Sequence, residues 1–137
     1  MNVSAKAEYA CVAVFELAAS YASGEPIQVR RIAEAHGIPA KFLVQILLQL
    51  KAAGLVTSTR GACGGYRLAR DPADVTVWDV HSIVDGEVIR ERHGDSLAAR
   101  LLDDVWQNAA SQSRLTLQST SFADILAQAD SQAMYYI

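Results

Sequence analysis

Residues 32–38 read Ile-Ala-Glu-Ala-His-Gly-Ile, with Ala33 four positions before Gly37. A small side chain such as alanine lets two helices approach closely, and glycine readily adopts the left-handed backbone conformation of a tight turn. The pattern predicts a helix-turn-helix. One helix runs from Gln28 to Gly37, and the next occupies residues 39–53.

The segments on both sides of this motif extend it to a winged helix-turn-helix. Upstream, apolar residues recur at three- and four-residue steps from Val3, which predicts a first helix that stops at Gly24. Downstream, β-branched residues over 55–59 and the alternation at residues 66–68 predict a two-stranded hairpin around a glycine-rich loop. A generic pair of helices also carries an alanine and a glycine at this spacing in some proteins. The order of three helices and a hairpin favours the winged form.

The rest of the chain is predicted to be helical apart from one loop. Thr76 is placed to cap a helix, and residues 87–95 are charged and predicted to form an exposed loop. A longer helix begins near Ser96, and a final short helix starts at Thr120 or Ser121. The fold class is therefore mainly α with a small β-hairpin wing.

The charge of this chain is unevenly distributed. The 137 residues have a formal net charge of −3, from 12 basic and 15 acidic side chains. Residues 1–70 hold eight of the basic and four of the acidic side chains, a net charge of +4, whereas residues 71–137 hold four and eleven, a net charge of −7. A basic half fused to an acidic half indicates a localised anionic partner, such as nucleic acid or a membrane surface. No segment approaches the roughly 18 apolar residues of a membrane-spanning helix, and no membrane association is predicted.

In a winged fold, residues 39–53 form the recognition helix, whose N-terminal residues reach base edges in the major groove of double-stranded DNA. The apolar stripe of this helix leaves Ala40, Lys41, Val44 and Gln45 facing outward. Lys41 can contact a guanine edge or a phosphate, Gln45 can pair with adenine, and Val44 can touch a thymine methyl group. Simple solvation of Lys41 and core-edge packing of Val44 are the alternatives.

The loop over residues 60–66 is the predicted wing. The absence of side chains at Gly61 and Gly64 would let the backbone lie against the sugar-phosphate, and Arg60 can enter a narrow minor groove. Arg67 adds a basic side chain beside the loop. A nucleotide-binding cradle is not expected, because no helix is predicted after the loop and the lysine and hydroxyl of a P-loop are missing.

Five segments carry a joint signature: SAKAEYA at residues 4–10, IAEAHGI at 32–38, FLVQ at 42–45, LKAAGLV at 50–56, and RGACGGYRL at 60–68. Together they closely resemble the Rrf-two family of bacterial regulators, of the IscR, NsrR and CymR type, and the likeness extends through Gly86. The resemblance implies a cytoplasmic, homodimeric, DNA-binding transcription regulator, usually a repressor. In that family the residues that match Gln45 and Arg60 serve base and minor-groove contacts. Ser4 and Lys6, in the first of these segments, complete the predicted DNA contacts.

The resemblance also implies that the long helix after the wing makes the dimer. Fewer than 60 residues lie beyond Asp79, too few for a core of their own, so that helix is expected to pack on a partner subunit. We predict a DNA-binding unit over residues 1–86, and a loop, dimerisation helix and short C-terminal helix over residues 87–137. Two recognition helices would then address half-sites about 34–36 Å apart, or multiples of that, in a pseudo-palindromic operator. The stripe expected to meet the partner is Leu97, Leu101, Val105 and Trp106.

The chain departs from the family at positions that bear on cofactors. Iron–sulfur members carry three cysteines in the segment corresponding to residues 87–110, where this chain has none. Cys11 is predicted on the inner face of the first helix and Cys63 in the wing, so an iron–sulfur cluster is not expected and no cofactor is predicted. Two cysteines so far apart also favour a reducing cytoplasm. Val44 replaces a cluster-linked glutamate of the family, and Ala62-Cys63 replaces Pro-Gly, which suggests a different site preference.

Cys63 supports a separate redox hypothesis. An exposed thiol near Arg60 and Arg67 would be open to oxidation, which would disturb DNA contact. The alternative is a small side chain tolerated in a loop. Another hypothesis is a winged-helix module that binds a protein partner and has weak or absent DNA binding. A further one is a sensor with an unusual cofactor.

The sequence offers little for an enzyme. His36, His81 and His93 have no metal-ligand spacing, and His81 is predicted on a helix surface. Asp103 and Asp104 are adjacent and point about 100° apart on a helix, the wrong arrangement for paired carboxylates. No residue indicates the effector or the operator sequence.

Overall fold

The computed structural model describes residues 2–86 and 91–135, in which helices dominate and one two-stranded sheet follows the third helix. The elements in chain order are α1 (Ala5–Ala19), α2 (Val29–His36), α3 (Ala40–Ala52), β1 (Val56–Thr59), β2 (Gly65–Leu68), a 3-10 turn (Pro72–Asp74), α4 (Val77–Asp85), α5 (Leu97–Gln118) and α6 (Phe122–Tyr135). The predicted fold class and the order of three helices and a hairpin are confirmed. None of the described helices is long and apolar enough to cross a bilayer.

Helix α1 is shorter than the sequence pattern predicted. It begins after Ser4, whose hydroxyl accepts a hydrogen bond of 3.0 Å from the amide of Ala7. It ends at Ala19, because the amide of Tyr21 bonds the carbonyl of Ala18 and the chain tightens into turns. The turns close at Gly24, where φ is 71°.

The turn between α2 and α3 has the geometry that the Ala33 and Gly37 pattern predicts. Gly37 adopts the left-handed conformation, with φ 65° and ψ 31°, and its amide donates to the carbonyl of Ala33. The amide of Ile38 bonds the same carbonyl at 3.0 Å. Ala33 itself is buried, and α2 packs against α3.

The hydrophobic core is shared by the helix-turn-helix, the hairpin and α4. Helix α3 turns one complete face inward: Leu43, Ile46, Leu47 and Leu50 are all fully buried. Residues at three- and four-residue steps are neighbours on a helix, so burial of this set fixes the opposite face of α3 outward. The other fully or nearly buried large side chains are Val14, Leu17, Ile32, Leu55, Val56, Val75, Val80 and Phe122.

The hairpin is held to the helices by a contact that the sequence pattern does not reveal. Strands β1 and β2 pair antiparallel, with Val56 opposite Leu68. Ile27, just before α2, forms an additional bridge to Tyr66 through two backbone hydrogen bonds of 2.9 and 2.8 Å. A methyl group on Gly65 would overlap the carbonyl of Ile27, so this close approach needs glycine.

The chain beyond α4 returns to the first part of the molecule. Helix α6 spans 14 residues, so the prediction of a short final helix is wrong in length, although the start after Ser121 is confirmed. The amide of Phe122 donates to Val75 at 2.9 Å, and the Phe122 side chain is 1% exposed. Part of the predicted loop over residues 87–95 lies outside the described residues, and the division at residue 86 stays a prediction.

Candidate nucleic-acid interface

The outward face of α3 carries the four side chains predicted to reach DNA bases. Ala40, Lys41, Val44 and Gln45 are all exposed, opposite the four residues that fill the core. Val44 is 38% exposed, which fits a base contact and also fits packing at the core edge, the alternative considered for it.

The N-terminal end of α3 is fixed against α1 by aromatic packing. The rings of Tyr9 and Phe42 meet edge to face, with centroids 5.7 Å apart, a favoured aromatic geometry. Pro39 precedes the helix and provides no side-chain cap, so the first backbone amides of α3 are available to an anionic group. The N-terminal end of α3, which is predicted to face DNA, is therefore packed against α1, and its first amides have no side-chain cap.

The C-terminal part of α3 presents a residue that the sequence reasoning missed. Leu48 is 52% exposed, although the leucines at positions 43, 47 and 50 of the same helix are fully buried. Its place could have been read from the helical period, because it falls four residues after Val44 and three after Gln45.

The loop at the tip of the hairpin spans residues 60–64, because Gly65 and Tyr66 already belong to β2. Arg60 and Gly61 are exposed at its start. Gly64 is buried, and a methyl group there would overlap the carbonyl oxygen of Thr59. Gly64 therefore has a role inside the hairpin, and its contact with DNA stays a prediction.

A side chain from the start of α2 holds this loop. Nε2 of Gln28 donates to the carbonyl of Ala62 at 3.1 Å. Together with the bridge between Ile27 and Tyr66, this bond fixes the position of the loop relative to α2 and α3. The two candidate DNA-contacting elements are thereby presented as one unit.

Some basic side chains near the predicted interface are hydrogen-bonded within the described part of the chain, and others are not. Arg67 donates to the carbonyl of Gly24 at 3.0 Å, so it braces the turn after α1, a role that the sequence did not indicate. Lys51 donates to the hydroxyl of Ser58 at 2.7 Å. Within residues 2–86 and 91–135, Lys41 and Arg60 form no ion pair or hydrogen bond, which leaves both charges available to an anionic partner.

The N-terminal residues of α1 are more constrained than predicted. The hydroxyl of Ser4 donates to Oδ1 of Asp85 at 2.5 Å while it accepts from the amide of Ala7. A serine hydroxyl has a single proton to donate, so a phosphate contact through that proton would require this bond to break. Lys6 is half-buried on the same turn.

His81 lies at the centre of a small polar cluster on α4, and the prediction of a surface position for it is wrong. Its side chain is 8% exposed, and Nε2 lies 3.3 Å from Oδ2 of Asp85. Its ring stacks on Trp78 with centroids 5.9 Å apart, and the guanidinium of Arg114 in α5 covers Trp78 at 4.8 Å. Amphipathic counting fails here because α4 is covered by α1 on one side and by α5 on another.

The long helix α5 carries several large apolar side chains that are about half exposed, and it has no buried residue. The predicted stripe is exposed at every position, between 45% and 65%. Contiguous exposed apolar surface of this kind marks an interaction site in a folded protein. The stripe is Leu97, Leu101, Val105 and Trp106, extended by Leu102 and Leu115.

Comparison with known proteins places this architecture in one family. The profile of the Rrf2 (Rrf-two) family, described as an iron-dependent transcriptional regulator, matches residues 3–128. The chain belongs to the Rrf2 family.

The relatives and the solved structures agree with that membership. A Mycobacterium tuberculosis (strain ATCC 25618 / H37Rv) protein named as a candidate HTH-type transcriptional regulator, Rv1287, is 40% identical over 131 residues, 91% of this chain and 81% of the relative. CymR of Bacillus subtilis (strain 168), an HTH-type transcriptional regulator, is 29% identical over the full length of both chains. The structure of T. potens IscR superimposes with a TM-score of 0.80 at 34% identity, and the match covers 94% of this chain and 88% of the IscR chain. The predicted class, a DNA-binding transcription regulator that is not an enzyme, is confirmed.

The iron dependence in the Rrf2 family description can be tested against the residues present. Cys11 lies in α1 and Cys63 in the hairpin loop, and both are free. Burial, together with the carboxylate of Asp85, raises the pKa of the Cys11 thiol to about 11, which disfavours the thiolate that binds metals. No group of three histidine, cysteine or acidic side chains within residues 2–86 and 91–135 could hold a metal ion. These residues do not fit an iron or iron–sulfur site.

Proposed function

We propose that this Rrf2-family protein is a cytoplasmic homodimeric repressor that binds a pseudo-palindromic operator. Helix α3 enters the major groove, and the loop after β1 carries Arg60 to the adjacent minor groove. The observation that carries the proposal is the exposed face of α3, where Lys41, Val44 and Gln45 lie opposite a fully buried face.

The chemistry of this face suits base recognition. Gln45 has an amide that can donate to and accept from one adenine, Lys41 can contact a guanine edge or a phosphate, and Val44 can pack on a thymine methyl group. Arg60 has a long cationic side chain without a partner in the described residues, as minor-groove insertion requires. The bond between Gln28 and Ala62, together with the bridge between Ile27 and Tyr66, joins the hairpin to the start of α2.

The dimer is proposed from α5. Its apolar stripe is centred on Leu101 and Val105, which are both more than half exposed in the described protomer, and burial of such a stripe on a second copy is the common solution in symmetric dimers. Two copies of α3 would then address half-sites about 34–36 Å apart or a multiple of that. The acidic second half, with its net charge of −7, would face away from the phosphates.

The test begins with selection of bound fragments from genomic DNA by the purified protein. With the operator in hand, Gln45→Ala is expected to weaken operator binding by about 1–3 kcal/mol and to relax one base preference, with a smaller loss on random DNA. Gln128→Ala, which truncates an exposed glutamine of α6, is the matched control and should bind as the wild type does. An equal loss on operator and random DNA would contradict the role given to Gln45.

We also propose that the regulation does not use an iron–sulfur cluster, since the cysteines lie in separate elements and Cys11 is held as a thiol. A visible spectrum of the anaerobically purified protein should show no cluster absorption. Cys63 is exposed in the loop, which leaves a redox signal as the second candidate. If Cys63→Ser leaves the peroxide sensitivity of DNA binding unchanged, that candidate is eliminated.

A further inference from the structure

Leu48 is the most exposed large apolar side chain of α3. It is 52% exposed, while Leu47 beside it and Leu50 two residues later are fully buried. Consecutive helical residues are separated by 100°, so Leu48 points roughly away from the core-facing side on which Leu50 lies. About half of the Leu48 side chain is therefore open to a partner on the outer side of α3.

The position of Leu48 on the helix matches a base-reading register. Lys41, Val44, Gln45 and Leu48 stand at i, i+3, i+4 and i+7, the spacing with which the homeodomain recognition helix contacts bases in the major groove. At 1.5 Å of rise per residue, Leu48 lies about 10 Å along the axis from Lys41, roughly the rise of three base pairs.

The side chain suits one feature of the major groove. Leucine has no hydrogen-bonding group, and the thymine methyl group is the apolar feature that base edges present there. Lys41 on the same face of α3 and Arg60 in the hairpin loop form no ion pair or hydrogen bond within the described residues. DNA phosphates complement these two charges, which favours DNA over an apolar protein surface as the partner of this face.

We propose that Leu48 is a specificity-determining residue that contacts a thymine methyl group, next to the thymine contacted by Val44. The inference rests on the proposed function. It predicts a half-site with one thymine for Val44 and another for Leu48, two side chains that lie about one helical turn of α3 apart.

Replacement of thymine by deoxyuridine tests the contact, because it removes only the methyl group and leaves base pairing intact. Equilibrium binding is measured by fluorescence anisotropy on operators with one thymine replaced at a time. For the wild type we expect about a fourfold loss at the thymine assigned to Leu48, since one buried methylene is worth ~0.8 kcal/mol and 1.4 kcal/mol corresponds to a factor of ten. Leu48→Ala should weaken binding to the intact operator and show no further loss at that position.

Three controls make the outcome decisive. Leu48→Met keeps an apolar side chain of similar size and should retain sensitivity to the methyl group. Met134→Ala truncates an exposed apolar side chain of α6 and should behave as the wild type. Val44→Ala should lose sensitivity at a different thymine.

Two results would overturn the inference while the proposed function stands. One is operator binding by Leu48→Ala as tight as that of the wild type. The other is the same deoxyuridine loss for Leu48→Ala and the wild type at every thymine. If the wild type shows no preference for any DNA, the proposed function itself fails and the inference fails with it.

Discussion

Gly61 and Gly65 offer a matched pair of substitutions in the hairpin that carries the wing. Both have positive φ, 108° and 150° respectively. A methyl group on Gly61 would meet no atom within 4 Å, whereas one on Gly65 would overlap the carbonyl of Ile27. Gly61→Ala therefore tests backbone strain alone, and Gly65→Ala tests strain together with the bridge between Ile27 and Tyr66.

The expected magnitudes follow from these contacts. Alanine in a region of backbone space that favours glycine costs about 1–3 kcal/mol, and Gly61→Ala is expected near the lower end. Gly65→Ala also displaces the two hydrogen bonds of 2.9 and 2.8 Å between Ile27 and Tyr66, each worth about 0.5–1.5 kcal/mol. We expect Gly65→Ala to be about 2 kcal/mol less stable than Gly61→Ala.

Urea unfolding followed by circular dichroism measures the difference in the free energy of unfolding between the two variants. The displaced bridge should loosen the hairpin from α2 in Gly65→Ala, whereas Gly61→Ala leaves the bridge in place. Equal free energies of unfolding for the two variants would refute the reasoning that the bridge anchors the hairpin.

Three further perturbations test other contacts. Because the pKa of Cys11 is raised to about 11, iodoacetamide at pH 8 should modify Cys63 and leave Cys11 unmodified until the protein unfolds. Mass spectrometry identifies the modified cysteine, and equal labelling of both in the native state would contradict the burial of Cys11. Leu101→Glu places a charge on the α5 stripe where the protomer leaves Leu101 58% exposed, so sedimentation should show a folded monomer, and an intact dimer would place the interface elsewhere. Ser4→Ala should destabilise the protein by about 1–2 kcal/mol through loss of the α1 cap and of the bond to Asp85. In a double-mutant cycle, Asp85→Ala should lower the free energy of unfolding less in the Ser4→Ala background than in the wild type. Strictly additive losses would show that the bond contributes nothing.

Structural features that depend on residues close together in the chain could be predicted from the sequence. The spacing of Ala33 and Gly37 indicated the turn, and the stripe from Leu43 to Leu50 indicated both the buried and the exposed face of α3. Thr76 is predicted to cap α4, and its hydroxyl accepts from the amide of Asp79 while the Asp79 carboxylate accepts from the amide of Thr76. These features depend on helical period and local backbone chemistry, which a single sequence shows directly.

Features that depend on distant pairs could not be predicted in the same way. The bridge of Ile27 to Tyr66, the bond of Gln28 to Ala62 and the bond of Ser4 to Asp85 join residues more than 30 positions apart. Nothing in the local pattern distinguishes Gln28 from any other polar residue before a helix. In the sequence, Arg67 is likewise a basic side chain beside the loop, and only the fold shows its carbonyl partner at Gly24. Leu48 is different, since its exposure was readable from the helical period.

The central claim is that the basic unit around α3 reads a specific DNA sequence, and the dependence of operator binding on salt tests it most directly. The dissociation constants for the selected operator and for random DNA are measured between 50 and 200 mM salt, for the wild type and for Lys41→Ala and Arg60→Ala. We predict a specificity ratio of at least about 10³ and a steep salt dependence, whose slope each substitution reduces by about one if the side chain meets a phosphate. Binding without preference for the operator, alongside a salt-insensitive complex with a protein partner, would contradict the claim.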